Sequence, residues 1–450
     1  MSTENLESTR GSVPRCAMWL VILAFGAFST GVARAAAPSV FAPTATLTFS
    51  DLVNAVSQSP DMAAASRELK VRQAAQAQSH VWPNPVLDAT WATIPVGRTN
   101  PEGLGEPMTR IPSYHVGLSY TVPIGKRGPV QAMRAAEVRA TRSQQCATGR
   151  RLALELAEAL GNMAAAELRI DALRQQVQAA EEQERQVAAR LAQQLASGLE
   201  LDRAAIERGR FEQQVYAAES ELNEQRAVCS ATTGMTCVPF ASAEQAKDYL
   251  EKWVNVAVDD LVNHMARIER PEVAALASAE AASRHEETYY SRQKVPDPTI
   301  RIGYVHDQFW VSGAQPNSLE LTVSLPLPAF DHGQAGSRSA RYAAEGYRAE
   351  RASMQRVTEA VVPALMERLQ SQRARRKNLV EVLIPRARAV VSDVLRSYDT
   401  RLLSMNDVIQ ARRALLDLLL GEVDGLADAY SAVLGLRSQI AVSEDEGCSR

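Results

Sequence analysis

The chain repeats its own plan, and this internal duplication limits its possible folds more than any other feature. The segment from Leu52 to about Arg142 reappears from Leu261 to about Glu350 with its landmarks in the same order. The matched landmarks are Ser59-Pro60-Asp61 with Arg270-Pro271-Glu272, Pro83-Asn84-Pro85 with Pro296-Asp297-Pro298, and Val122-Pro123-Ile124 with Leu325-Pro326-Leu327. The pattern predicts, in each half, a helix, a Pro-x-Pro motif, two strands, a proline and a very long helical hairpin.

The N-terminus predicts export from the cytoplasm. Arg10 and Arg15 precede the apolar or small residues Ala17 to Phe28, and Ala33-Arg34-Ala35 supplies the small-x-small pattern of a signal peptidase site. The alternative is a membrane anchor, but this run rises only about 18 Å as a helix, against a hydrocarbon core of about 30 Å. We therefore interpret residues 1–35 as a removed secretory signal.

The mature chain is expected to contain two copies of one architecture, at residues 36–260 and 261–440, followed by a polar tail at 441–450. The net charge of -3 gives no electrostatic footprint for nucleic acid. No Gly-rich phosphate loop, metal-ligand spacing or nucleophile elbow is found in the sequence. The sequence therefore predicts neither an enzyme nor a bound cofactor or metal.

Four segments alternate apolar and polar residues with a period of two, namely 86–94, 114–123, 299–306 and 318–327. About ten residues in a tilted strand cross a bilayer, and this alternation is typical of a membrane β-barrel. A half-buried soluble sheet would alternate equally well.

The barrel interpretation assigns a direction to each side chain. The face of the fourth segment that should meet lipid carries Leu319, Leu321, Val323 and Leu325. Arg301 and Glu320 fall on the opposite faces of their strands, so we expect both to face the lumen. Pro123 and Pro326 should mark the exits from strand to long helix.

From each exit proline the chain runs about 75 residues to a helical tip, near Gly198 in the first half and Arg401 in the second. A helix of that length rises about 110 Å and needs partners along its whole length. Apolar residues recur every seven residues in the first long helix, with Ala at several of these positions, which indicates left-handed supercoiling. Pro363 and Pro385 should bend or break the second.

Four strands cannot close a barrel, because even small membrane barrels use eight. Open strand edges in lipid would leave backbone groups unsatisfied at several kcal/mol each. We therefore expect several copies to complete one barrel and one helical tube. A free-standing coiled coil would explain the seven-residue repeat but not the strands.

With these motifs in place, the chain resembles the TolC-like outer membrane factors of Gram-negative bacteria from about Leu47 to Ile440. The motifs that carry the resemblance are Pro83-Asn84-Pro85, the two strand exits at 122–127 and 325–334, and the tip at 398–411. The resemblance implies a mainly α fold of duplicated long helical hairpins, with four β-strands per chain in a trimeric twelve-stranded outer-membrane barrel. It also implies an exit duct of a tripartite efflux or secretion machine, with a periplasmic adaptor and an inner-membrane pump as partners.

The cargo stays open at this point. Gly125-Lys126-Arg127 at the first exit is similar to the heavy-metal branch of the family, but drugs, dyes and a secreted polypeptide are equally compatible with a passive duct. The alternative function is a trimeric surface fibre or adhesin with a membrane β anchor.

The resemblance also implies a periplasmic gate at the helix tips. Tyr398 and Asp407 stand where the family carries a gate tyrosine and a gate aspartate. One Asp per chain would form a ring in a trimer and could bind cations or hold the tip shut. The corresponding place in the first half is taken to be Ala204, which carries no charge. The alternative is that Tyr398 packs between helices and Asp407 lies on a solvated face.

Four cysteines follow the predicted signal, in a compartment where thiols tend to pair: Cys146, Cys229, Cys237 and Cys448. Cys229 and Cys237 flank a turn-like stretch at 231–234, so we favour a local disulfide. A bond between Cys146 and Cys237 is the alternative.

Overall fold

The computed structural model describes residues 39–94, 112–255, 270–307 and 315–440. The predicted signal, the boundary between the predicted repeats and the predicted tail lie outside these residues. The first half contains β1 (Val40–Phe41), α1 (Phe49–Val56), α2 (Pro60–His80), β2 (Val86–Ala92), β3 (Ser113–Thr121), α3 (Arg127–Ala192), α4 (Gly198–Thr233), β4 (Thr236–Cys237) and α5 (Ala243–Val254). The second half contains α6 (Pro271–Ser291), a 3-10 turn (Arg292–Lys294), β5 (Thr299–His306), β6 (Asn317–Ser324), α7 (Gln334–Asn378), a π-helical turn (Leu379–Leu383), α8 (Ile384–Asp399) and α9 (Met405–Gln439).

The duplication is visible in the elements themselves. Helices α2 and α6 each span 21 residues, and each has a proline at its start, at Pro60 and Pro271. Proline is favoured there because the first helical N–H has no partner within the helix. Each of these helices is followed by a strand pair and then by long helices that turn back on themselves. The predicted order of elements is therefore confirmed.

The strands form one antiparallel sheet in the order β2-β3-β5-β6. The central pair, β3 and β5, joins the two halves of the chain, with Thr121 opposite Thr299. Strands β2 and β6 therefore form the two edges of this sheet. A second, two-stranded parallel sheet pairs β1 with β4.

The long helices have the predicted partners. Helix α3 spans 66 residues, which corresponds to about 100 Å, and it packs against α2, α4, α6 and α9. Its heptad residues, such as Leu156, Met163 and Val187, are buried. Glu184, which interrupts the apolar repeat, accepts a hydrogen bond at 2.7 Å from Arg208 of α4. Among the described residues, no helix combines the length and apolar character needed to cross a membrane.

The second long helix is interrupted at one of the two predicted prolines. Helix α7 continues through Pro363, whereas the π-helical turn at Leu379–Leu383 directly precedes Pro385 in the first turn of α8. A proline in the first turn of a helix removes no hydrogen bond from that helix. The π-helical turn before α8 is wider than an α-helical turn, and it therefore leaves room for the ring of Pro385. Helix α7 is therefore not broken at Pro363, and a bend at this residue stays a prediction.

An aromatic core lies where α3, α5 and α9 meet. Tyr430 is fully buried and donates to the carbonyl oxygen of Ala157 at 2.7 Å, so its oxygen accepts the hydrogen of Tyr249 at 2.8 Å. Gly161 faces this ring, and a Cβ there would lie 2.2 Å from Tyr430 Cε1. The glycine therefore allows the close approach of α3 and α9 on which the core depends.

Candidate functional site

The two faces of the four-stranded sheet differ in chemistry. Leu118, Ile302 and Leu321 lie side by side across β3, β5 and β6, and they are 52%, 61% and 71% exposed. The two neighbouring rows are apolar as well, so this face is largely apolar and exposed to the surroundings of the single chain, and only its end row also carries the polar side chains of His306 and Asn317. A continuous apolar face of this kind marks a membrane or protein interface.

The opposite face carries an ionic network centred on Arg301. Its Nη1 donates to Glu320 at 2.7 Å and its Nη2 donates to Asp88 at 2.6 Å. The guanidinium lies over two glycines of the inner strands, Gly117 and Gly303, and a Cβ on Gly117 would lie 2.7 Å from it. Two acids on the outer strands therefore hold one cation in space that only glycine leaves open.

Sequence reasoning placed Arg301 and Glu320 on this face but missed Asp88. Asp88, Gly117, Gly303 and Glu320 are register partners in one row across the sheet. Gly117 and Gly303 were the available signal for this network, because two glycines on one face of a sheet leave space for a long side chain from a neighbouring position. The position of this row in a lumen stays a prediction, since a lumen requires a closed barrel.

Each exit proline lies between the end of a strand and the start of a long helix. After Pro123, the Ile124 N–H donates to Asp297 Oδ1 and Lys126 Nζ donates to Asp297 Oδ2, both at 2.8 Å. These contacts tie the first exit to the start of β5. After Pro326 the chain is exposed, and Phe330 is 93% exposed. The two exits thus share a sequence pattern but differ in their surroundings.

The second tip is a tight turn with a capped helix start. Arg401 adopts a left-handed conformation with φ of 61°, and Ser404, three residues later, precedes α9. Asp407 accepts hydrogen bonds from the Ser404 N–H at 2.8 Å and from its hydroxyl at 2.6 Å. These bonds hold the pKa of Asp407 below its usual value, because they favour the ionised carboxylate.

The first tip has the same construction. Gln194 also has φ of 61°, Ser197 caps α4, and Glu200 accepts from the Ser197 N–H at 2.8 Å. The first-half counterpart of Asp407 is therefore Glu200. The assignment to Ala204 is wrong, because it aligned Gly198 rather than Gln194 with the left-handed residue of the second tip.

Tyr398 lies inside the chain, near the second tip. It is 6% exposed and packs against Val187, Met405 and Val408. The Arg190 guanidinium lies 4.7 Å from the ring centroid and forms a salt bridge of 2.6 Å to Asp399. Burial raises the pKa of the Tyr398 phenol. Within one chain, then, Tyr398 packs between helices and Asp407 caps a helix, and a gate role needs contacts between copies.

A disulfide joins Cys229, near the end of α4, to Cys237 of β4, with the Cα atoms 6.0 Å apart. Gly234 ends α4 with φ of 71° and reverses the chain between them. Of the two pairings that the sequence leaves open, the structure contains the local one. Cys237 also pairs with Phe41 of β1, so the covalent bond fixes the strand that holds the N-terminal segment.

Neither protein-family models nor curated protein sequences match the chain. Several solved structures, in contrast, align with most of the chain. The outer-membrane channel OprN aligns over 88% of this chain and 90% of its own, with a TM-score of 0.69 and 14% identity. The outer membrane protein VceC from Vibrio cholerae aligns over 88% and 97%, with a TM-score of 0.67 and 16% identity.

The CmeC outer membrane channel from Campylobacter jejuni aligns over 88% of this chain and 87% of its own, with a TM-score of 0.68 and 12% identity. The chain has the fold of the TolC-like channels. The predicted fold class, long duplicated helical hairpins with four strands per chain, is confirmed. At these identities the likeness concerns the fold.

Proposed function

We propose that the protein is the outer-membrane channel of a tripartite efflux system, a passive exit duct for small molecules or metal ions. The exposed apolar face of the four strands carries this proposal, because lipid is the surrounding in which such a face is stable. The sheet has two open edges, which lipid does not tolerate. Three copies, with twelve strands, would close it into a barrel.

The channel fold supports this function over a surface fibre or adhesin. The resemblance supplies the partners, a periplasmic adaptor and an inner-membrane pump, and the outer-membrane lipid follows from the apolar face. We propose small molecules or metal ions as cargo because a passive duct conducts them without a ligand-binding site. Among the described residues, no three His, Cys, Asp or Glu side chains are grouped to hold a metal ion.

Conduction is the decisive test of the duct. The full-length protein, purified as a trimer and added to a planar lipid bilayer, should give stepwise increases in ion conductance. A fibre with a membrane anchor would insert without conducting. Trimers that insert and give no conductance would overturn the proposal.

We further propose that Tyr398 and Asp407 form the periplasmic gate. In a trimer the three Asp407 carboxylates would form a ring near the axis, and their charge would bind multivalent cations. Supporting this, the capping bonds from Ser404 keep each carboxylate ionised and fixed in position.

Two substitutions separate charge from capping at the gate. Asp407→Asn, combined with Tyr398→Phe, keeps an oxygen acceptor for the cap but removes the charge, so it should raise single-channel conductance and weaken block by multivalent cations. Ser404→Ala removes the hydroxyl donor and keeps the charge, so block should persist. Wild-type conductance and block in the double variant would count against the gate.

A further inference from the structure

The pairing of β3 with β5 is a joint between the two repeats of one chain, and we call it the internal joint. Thr121 faces Thr299, and their hydroxyl oxygens lie 2.8 Å apart. The Val122 N–H donates to the Pro298 carbonyl at 2.9 Å. Beyond the ladder, the exit N–H of Ile124 donates to the Asp297 carboxylate. The internal joint thus connects a strand exit to a Pro-x-Pro motif.

The same two sequence motifs occur once more in the chain, and there they are not joined. The exit after β6 contains Leu327, which is 79% exposed. The Pro83-Asn84-Pro85 motif before β2 is exposed, whereas its counterpart Pro296-Asp297-Pro298 is half-buried. The chain therefore carries both halves of a second joint on the two open edges of its sheet.

We propose that a second copy of this chain completes the second joint, with β6 of one copy paired to β2 of the next in the register of the internal joint. The inference rests on the proposed trimer and adds the residue pairs that hold it together. The internal duplication carries it, since equivalent sequences with equivalent strands should make equivalent contacts.

The register follows from landmarks in the sequence. Thr121 and Ser324 both stand two residues before an exit proline, and Thr299 and Val86 both follow the second proline of a Pro-x-Pro motif. Because Thr121 pairs with Thr299, Ser324 pairs with Val86 of the next copy.

The side chains support this register. It places Leu321 opposite Ala89, so the apolar face continues across the boundary between copies. It also places Thr322 opposite Asp88, on the polar face. A shift by two residues in one direction would set Glu320 opposite Asp88, and like charges directly opposite each other are unfavourable. A shift by one residue would mix the two faces.

Asn84 is the predicted partner of the second exit. It occupies the place of Asp297, so its side-chain oxygen accepts the N–H of Leu327. Asp297 carries a charge that Lys126 neutralises. The segment after Leu327, Pro328-Ala329-Phe330, contains no cation, and Asn84 carries no charge. The internal joint therefore pairs a cation with an anion, and the second joint pairs two uncharged segments.

Cysteine pairs test the register in the full-length protein. Ser324→Cys with Val86→Cys should give covalent dimers and trimers under mild oxidation, because directly opposed Cβ atoms in antiparallel strands lie about 4.5 to 5.5 Å apart. Thr121→Cys with Thr299→Cys is the matched control and should cross-link within one chain. Wild type under the same oxidant supplies the background from the native cysteines.

Two outcomes would overturn the register. One is a covalent trimer from Ser324→Cys with Asp88→Cys and none from Ser324→Cys with Val86→Cys. The other is cross-linking of neither pair in trimers that conduct ions, while the Thr121 and Thr299 control cross-links. Conductance of the same preparations separates this failure from failure of the duct, which would abolish conductance in the wild type.

Asn84 provides an independent measurement. Asn84→Leu removes an acceptor from each of three boundaries and should weaken the trimer about fivefold at each, hence on the order of a hundredfold in all. Asn84→Asp keeps the acceptor and should retain the trimer. Helical circular dichroism of both variants reports whether the chain still folds. Equal dissociation of the Leu variant and the wild type would overturn the role of Asn84.

Discussion

Position 321 offers a sharp test of which face of the sheet meets lipid. Leu321 lies near the middle of β6, opposite Ile302 near the middle of β5, and it is 71% exposed in the single chain. An arginine on the lipid face of a barrel costs about 2 to 4 kcal/mol at the bilayer midplane. Three copies in one barrel would raise the cost of Leu321→Arg to about 6 to 12 kcal/mol per trimer.

The cost should fall with distance from the midplane. Val323 is on the same face as Leu321 but two residues closer to the long helices. At about 3.3 Å per residue and a tilt of about 45°, this places it about 5 Å nearer the interface. Val323→Arg should therefore be less damaging than Leu321→Arg. Ser324→Arg, on the polar face opposite Thr299, should be tolerated.

The amount of assembled trimer in outer-membrane fractions, measured by heat-modifiable mobility on gels, is the appropriate assay. The expected order of yield is Ser324→Arg, then Val323→Arg, then Leu321→Arg, with Leu321→Ala as a control that keeps the position apolar. Equal yields for the three arginine variants would refute the assigned faces. The lowest yield for Ser324→Arg would show that the faces are reversed.

Three further predictions concern other parts of the chain. Arg301→Gln removes three positive charges from a trimer and leaves the carboxylates, so the reversal potential in a salt gradient should shift toward cation selectivity; no shift would contradict its position in the lumen. Burial raises the pKa of Glu167 from 4.5 to about 7. The folded state then binds this proton more tightly than the unfolded state, so the contribution to stability is present below about pH 4.5 and is lost as the pH rises through 7. Glu167→Gln should flatten that dependence in thermal unfolding between pH 5 and 8, and an unchanged slope would contradict it. Replacing Cys229 and Cys237 by serine removes a bond that spans 8 residues and should lower the unfolding free energy by about 2.5 kcal/mol relative to the oxidised wild type, measured by urea unfolding; an unchanged unfolding free energy would contradict this.

Periodicity and duplication predicted the elements well. The segment Thr299–His306 is β5 with the predicted bounds, and the other three strands lie within three residues of the predicted ends. A strand's two faces follow from its period of two, and the long helices follow from heptads, so both are local properties of the sequence.

Contacts between distant segments could not be predicted in the same way. Asp88 meets Arg301, and Asp297 meets Lys126, only because the strands pair in one particular register. Periodicity fixes which face a residue takes but leaves shifts by two residues open. The match of Glu200 to Asp407 depends on which residue of each turn is left-handed. The sequence does not indicate that residue when it is not a glycine, as at Arg401.

The acids at the two helix tips restrict which substitutions the protein can accept at these positions. Glu200 and Asp407 each lie in the first turn of a helix, and each places a negative charge at the same end of the helical hairpins. A substitution that removes the charge by shortening the side chain also removes the hydrogen bonds that cap the first turn of the same helix. Under the proposed gate role, selection on conduction and selection on folding would act on the same atoms. Amides keep the acceptor and lose the charge, so they are the replacements through which the two properties could vary separately.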